Sequence, residues 1–216
     1  MKTLQVPFIP GLDARTDAEI PALLEVSGSR FYVNRANWPD EFGYRPVCAG
    51  NIARYEDGLA LRFHVQGLDL RAQNLEDNGR QWEDSCCEFF VGEPGGDRYF
   101  NFEINCIGRI LGASGPDRHD RVRQAPADLA RIRRITTLPA QAIDEADTLR
   151  SWDIAVLIPF ALFGADPACP PATLRANFYK CGDKTAHPHF LSWNPIDTPQ
   201  PDFHRPDFFG ELVLLP

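Results

Sequence analysis

Residues 81–105 read Gln-Trp-Glu-Asp-Ser-Cys-Cys-Glu-Phe-Phe-Val, then Gly-Glu-Pro-Gly-Gly-Asp, then Arg-Tyr-Phe-Asn-Phe-Glu-Ile-Asn. Two runs rich in aromatic and β-prone residues flank a Pro-Gly-Gly loop, the pattern of a β-hairpin. Side chains alternate faces along a strand, so each run can be sorted. In the first run Ser85, Cys87, Phe89 and Val91 point one way, and Cys86, Glu88 and Phe90 the other. In the second, Phe100, Phe102 and Ile104 share an apolar face suited to a core. The opposite face carries Tyr99, Asn101, Glu103 and Asn105: amides, a carboxylate and a phenol, with no lysine. Such a face either forms a polar network of its own or lines a site.

Working outward, the same alternation recurs. Residues 52–55 and 59–66 predict a second hairpin, in which Leu59, Leu61, Phe63 and Val65 alternate with Ala60, Arg62, His64 and Gln66. Residues 31–34, 109–113, 132–138, 151–158, 175–181 and 210–215 read as further strands. In the run 175–181, Ala176, Phe178 and Lys180 share one face and Asn177, Tyr179 and Cys181 the other. A short helix is expected over 17–24 with Asp17 as its cap. A helical turn is expected over 160–163, opened by Pro159 and closed by Gly164. The Arg-rich segment within 115–134 reads as a solvated loop, with one helical turn near 128–131. Many short strands, no long helix and no repeats predict one antiparallel β-sandwich domain, all-β, spanning residues 1–216.

Composition bounds the function. The chain has 216 residues, 44% of them hydrophobic, enough for one sizeable core. Its 22 basic and 30 acidic residues give a formal charge of −8, which argues against a nucleic-acid or anionic-membrane surface. No run of 18 apolar residues is present, and residues 1–10 lack the pattern of a signal peptide, so reduced cysteines and, unless a signal was removed, a cytoplasmic location are the expectation; a monomer is expected. Cys48, Cys86, Cys87, Cys106, Cys169 and Cys181 contain no Cys-x-x-Cys pair.

Trp82 and Trp193 each sit in a polar setting, Gln-Trp-Glu-Asp-Ser and Leu-Ser-Trp-Asn-Pro. An indole so placed is either a lid on the core or a flat surface for a flat apolar partner, such as the C–H face of a sugar ring. Glu88, Asn101 and Glu103 are the candidate partners for sugar hydroxyls. Glu88 and Glu103 also form the kind of carboxylate pair that glycosidases use. His187, His189, His204 and Cys181 offer zinc-ligand chemistry without a standard spacing. Haem ligation through methionine is disfavoured, because Met1 is the only one.

The segment Trp-Glu-Asp-Ser-Cys-Cys-Glu-Phe-Phe resembles the Trp-x-Asp-Asp-Ser-x-Glu-x-Phe signature of family 9 carbohydrate-binding modules, with the spacing from Trp82 to Glu88 kept. Tyr-Phe-Asn-Phe-Glu-Ile-Asn resembles the strand that follows in the family, and Ser192-Trp193-Asn194 the segment carrying its second tryptophan. Stand-alone bacterial family-9-like proteins share residues 175–183, 190–195 and 201–210. The resemblance implies a DOMON-like β-sandwich that holds a small saccharide or polysaccharide chain end and serves polysaccharide catabolism. It also implies a clamp of Trp82 and Trp193, with Glu88 accepting from sugar hydroxyls. Tyr179 and Asn177 would extend the same face, and Phe190, His189, His204 and Arg205 would rim it. The family's strand arginine is replaced here by Asn101 or Glu103. Members of the fold often hold structural calcium, for which Asp84 and Asp183 are the candidates.

Overall fold

The computed structural model describes residues 1–93 and 96–216. Pro94 and Gly95, within the hairpin loop expected from the sequence, lie outside the described residues. In chain order the strands are β1 (Thr3–Val6), β2 (Ser29–Tyr32), β3 (Arg35–Ala36), β4 (Val47–Tyr55), β5 (Gly58–Asp69), β6 (Cys86–Gly92) and β7 (Tyr99–Asn105). They continue with β8 (Ile110–Gly115), β9 (Val122–Arg123), β10 (Arg133–Thr136), β11 (Asp147–Pro159), β12 (Thr173–Cys181), β13 (Phe190–Ser192) and β14 (Gly210–Leu214). Two short helices, α1 (Glu19–Ser27) and α2 (Pro126–Leu129), join them. Among the described residues no helix is long and apolar enough to cross a membrane.

The strands form the two layers of a β-sandwich. One sheet runs β1-β14-β12-β6-β7-β8-β9, with β13 and β3 added beside β12; the other runs β10-β11-β5-β4-β2. The named pairs are antiparallel except β1 with β14. The inner faces meet in one core, to which β6 gives Cys87, Phe89 and Val91, β7 gives Phe102 and Ile104, and β12 gives Ala176 and Phe178. From the second sheet come Leu61, Phe63, Ile154 and Val156. Phe178 is the hub. Its ring stacks on Phe31 at 4.0 Å and on Phe89 at 5.4 Å, and meets the edges of Trp193 and Phe63.

Each outer face is covered differently. α1 packs Ile20 and Leu24 over Ala53, Tyr55, Ala155 and Leu157 of the second sheet. This helix starts two residues later than expected, and Thr16 rather than Asp17 prepares its start. The Glu19 N–H donates to the Thr16 hydroxyl at 3.3 Å, and the Thr16 N–H donates to the Glu19 carboxylate at 2.9 Å. This reciprocal box satisfies donors that the helix cannot. Asp17 pairs instead with Arg133 at 2.6 Å. The turn over Phe160–Phe163 forms as expected and ends on Gly164 at φ 76°, the left-handed conformation that glycine tolerates.

The outer face of the first sheet carries a second apolar cluster of Cys86, Phe90, Tyr99 and Tyr179. The long C-terminal segment lies over part of it through Phe203 and Phe209. The remainder is open and forms the site described below.

Truncating the hub tests this packing. Phe178→Ala is expected to cost about 3–5 kcal/mol, from lost burial plus a cavity. Urea unfolding measures it; a loss below about 1 kcal/mol would place the centre of the core elsewhere.

Candidate functional site

The register that assembles the core also assembles the opposite face. β6 lies between β12 and β7, with Tyr179 opposite Glu88 and Glu88 opposite Glu103. Glu103 in turn lies opposite Leu111, and Asn101 opposite Ala113. Side chains directly opposite on antiparallel strands are neighbours on one face. Glu88, Asn101 and Glu103 therefore stand together, and they form the floor of a cavity of about 420 Å³. Trp82 and Asp183 line it from one side, and Phe190, Asp202, Phe203 and His204 from the C-terminal segment. Arg118, Arg121 and Arg123 line it from the segment that leads into β9 and along β9 itself.

The aromatic wall is held rigidly. Trp82 sits in a 3₁₀ turn, Gln81–Glu83, and its carbonyl accepts from the Asp183 N–H at 3.0 Å. Buried Asp84 fixes the incoming chain by accepting from the N–H groups of Gln73 and Asn74, each at 2.9 Å, and from the Asn105 amide at 3.1 Å. Phe203 stacks on Tyr179 at 4.2 Å, and the Tyr179 hydroxyl donates to the Phe203 carbonyl. Phe190 meets Phe42 edge-on at 4.7 Å. His204 is tied to the Tyr99 hydroxyl at 2.8 Å, and burial drives its pKa down to about 3, so the ring is neutral.

The floor is a pair of buried acids. The Asn101 amide donates to Glu103 Oε1 at 2.8 Å, and the Cys181 thiol donates to Glu88 Oε1 at 3.1 Å. Glu103 Oε2 is buried without a protein partner. Burial raises the pKa of Glu103 to about 7. Burial, then the neighbouring Glu103 charge, raises that of Glu88 well above the usual carboxylate range. A protonated carboxyl both donates and accepts, which suits a ligand rich in hydroxyls.

Of the residues singled out in the sequence, Trp82, Glu88, Asn101, Glu103, Phe190 and His204 line this one cavity. Trp193 is a correction. Only 4% of it is exposed, and it packs on Phe178 and against Gly210 in the core, away from the cavity. Tyr179 lies beneath Phe203 and is itself fully buried, as is Asn177, which holds the Asn194 backbone. His189 and Arg205 are not on the rim: His189 Nε2 pairs with buried Lys180 at 2.7 Å, and Arg205 pairs with Asp207. Among the described residues, His187, His189, His204 and Cys181 do not come together at metal-ligand spacing.

Within the Arg-rich segment, where Arg118 and Arg123 are exposed as expected, one residue departs from the reading. Arg121 is half-buried: it donates to the Tyr99, Ala113 and Gly115 carbonyls and to Asn101 Oδ1, and lies 4.1 Å over the Tyr99 ring. It brings a guanidinium to the place where β7 carries none. Its charge pattern in the sequence resembles a surface run; only the chain reversal at β9 shows its partners.

Of the calcium candidates, Asp84 turns both carboxylate oxygens to N–H donors, and Asp183 lines the cavity. Among the described residues one cluster brings three ligand atoms within 4.8 Å of one another, Cys86, Glu88 and Cys181. Two thiols do not suit a cation that takes oxygen ligands.

Two outcomes follow. Trp193→Ala is expected to cost about 3–5 kcal/mol of stability in urea unfolding, as a core aromatic does; an unchanged midpoint would return Trp193 to the surface. Because the folded-state pKa of Glu103 lies above its unfolded value, its contribution to stability is present below about pH 4.5 and lost as pH rises through about 7. Glu103→Gln should therefore gain on the parent between pH 4.5 and 8, by on the order of 2–3 kcal/mol. Parallel stability–pH curves for the two proteins would contradict this.

Known proteins set this geometry in context. A candidate carbohydrate-binding protein from Bacteroides uniformis has 35% sequence identity and a TM-score of 0.91, over 99% of both chains. A family 9 module from Caldicellulosiruptor kristjanssonii in complex with glucose is similar at TM-score 0.61 and 12% identity, over 99% of this chain and 96% of that one. A family 9 module from the same organism in complex with cellotriose gives TM-score 0.53 and 12% identity, over 99% and 93%. At 12% identity these two speak to the fold alone. Among curated protein sequences nothing matches. The model of carbohydrate-binding family 9 matches residues 18–214, and the chain belongs to that family.

Proposed function

We propose that the protein binds a short saccharide in the cavity over β6 and β7 and leaves it chemically unchanged. The observation that carries this reading is the pairing of a fixed aromatic wall, Trp82 with Phe190 and Phe203, with a buried floor of Glu88, Asn101 and Glu103. The aromatic faces take the C–H surface of a pyranose ring. The floor takes its hydroxyls. The cavity volume lies within the range of small-molecule sites. The glucose and cellotriose held by the family 9 modules of Caldicellulosiruptor kristjanssonii support a sugar of this size. On this reading the second aromatic surface is Phe190 or Phe203, not Trp193.

A hydrolytic reading rests on Glu88 and Glu103, two acids with raised pKa values. Glycosidases need their carboxyls on either side of the scissile bond. Here both rise from adjacent strands on one floor, which favours binding over cleavage.

Calorimetric titration with glucose, cellobiose and cellotriose tests the proposal. Dissociation constants on the order of micromolar to millimolar are expected for at least one of these sugars. Trp82→Ala should weaken binding at least tenfold, about 1.4 kcal/mol. Unaltered affinity in that variant would contradict the stacking. Released product that disappears in Glu88→Gln would establish hydrolysis instead.

A further inference from the structure

The three guanidiniums of the cavity are more than a neutral sugar needs. They are also set at one end. Across the sheet the lining passes from Asp183 beside β12, through Glu88 and Glu103, to Ala113 and then to Arg123, which lies opposite Ala113 in the register. The cavity is thus acidic at the Trp82 end and basic at the β9 end, in a chain whose formal charge is −8. The basic end is only partly neutralised by the protein, through Asp202 on the same cavity wall. Arg118 touches Asp202 at 3.5 Å, but among the described residues Arg121 and Arg123 form no ion pair. Arg121 spends its terminal nitrogens on carbonyl oxygens, and its Nε is buried without a partner. Arg123 donates once, to the Asn78 carbonyl, which leaves the rest of its fork unused.

A guanidinium at a cavity wall with no ion pair, as at Arg121 and Arg123, is poised for an anion, and its planar fork matches a carboxylate in two parallel hydrogen bonds. Burial raises the pKa of both Glu88 and Glu103, that of Glu103 to about 7, so the two carboxyls offset this charge less than exposed carboxylates would. Resting on the saccharide reading above, we infer that the preferred ligand is an acidic sugar, a uronic acid unit whose carboxylate faces Arg118 and Arg123 while its ring stacks at Trp82 and its hydroxyls meet Glu88 and Glu103. The acidic group sets specificity, and the aromatic wall and floor set the sugar.

The test is calorimetric titration of the full chain with glucose, glucuronic acid, glucose 6-phosphate and glucose 6-sulfate, in low and in moderate salt. Glucuronic acid is expected to bind at least tenfold more tightly than glucose, with the advantage shrinking as salt rises. The double variant Arg118→Gln with Arg123→Gln should bring the ratio of the two affinities down to near one. Both arginines are solvent-exposed, so a matched urea transition confirms that the variant is folded. Phosphate or sulfate binding more tightly than the uronate would overturn the carboxylate assignment. Glucose and glucuronic acid binding equally well would overturn the inference and leave the saccharide reading intact. No heat from any of the four, with none from cellobiose or cellotriose, would overturn both.

Discussion

The register of β6 between β7 and β12 is the constraint on which both halves of the molecule depend. Each of these strands has a strict two-residue period, so a slip by one residue would exchange its faces. In the observed register Phe89, Phe102 and Phe178 stack in a row inside the sandwich, while Glu88 and Glu103 stand side by side outside it. The core energy of three aromatic rings therefore holds the geometry of two carboxyls. Displacing the acids costs the same free energy as unpacking the core, several kcal/mol by the burial of such side chains.

That rigidity lets the cavity keep groups that would otherwise be unfavourable. A buried carboxyl is tolerated where it is protonated or hydrogen-bonded, and the Asn101 amide and the Cys181 thiol supply hydrogen bonds here. Arg121 completes the arrangement from the far side. It closes the β9 segment against the edge of the sheet through backbone carbonyls and bonds the same Asn101 that bonds Glu103. Guanidinium, amide and acid form one chain across the floor, so the polar surface offered to a ligand is preorganised rather than assembled on binding.

The sequence made the alternating strands legible because periodicity is a local property. The faces of β6, β7 and β12 follow from residue parity alone, and with them the grouping of Glu88, Asn101 and Glu103. Trp82 was legible through the resemblance of its segment to the family signature, in which its spacing from Glu88 is kept. Trp193 was not, because it follows the three-residue strand β13, too short for parity to fix a face; its side is decided by Phe178 and by Gly210, which leaves room for the indole. Arg118, Arg121 and Arg123 were hidden by the aspartates around them, since alternating charge in a loop looks the same whether it is solvated or folded back over a cavity. Phe203 was hidden by its place in a proline-rich segment, whose course depends on tertiary contacts with Tyr179.

The central claim is that one outer face, floored by Glu88 and Glu103 and walled by Trp82, receives a sugar ring. A crystal structure of the protein grown with cellotriose tests it most directly. The account predicts a pyranose in contact with the Trp82 indole, with at least one hydroxyl within hydrogen-bond distance of Glu88 or Glu103. A sugar bound elsewhere on the sandwich, with this cavity holding only water, would contradict it.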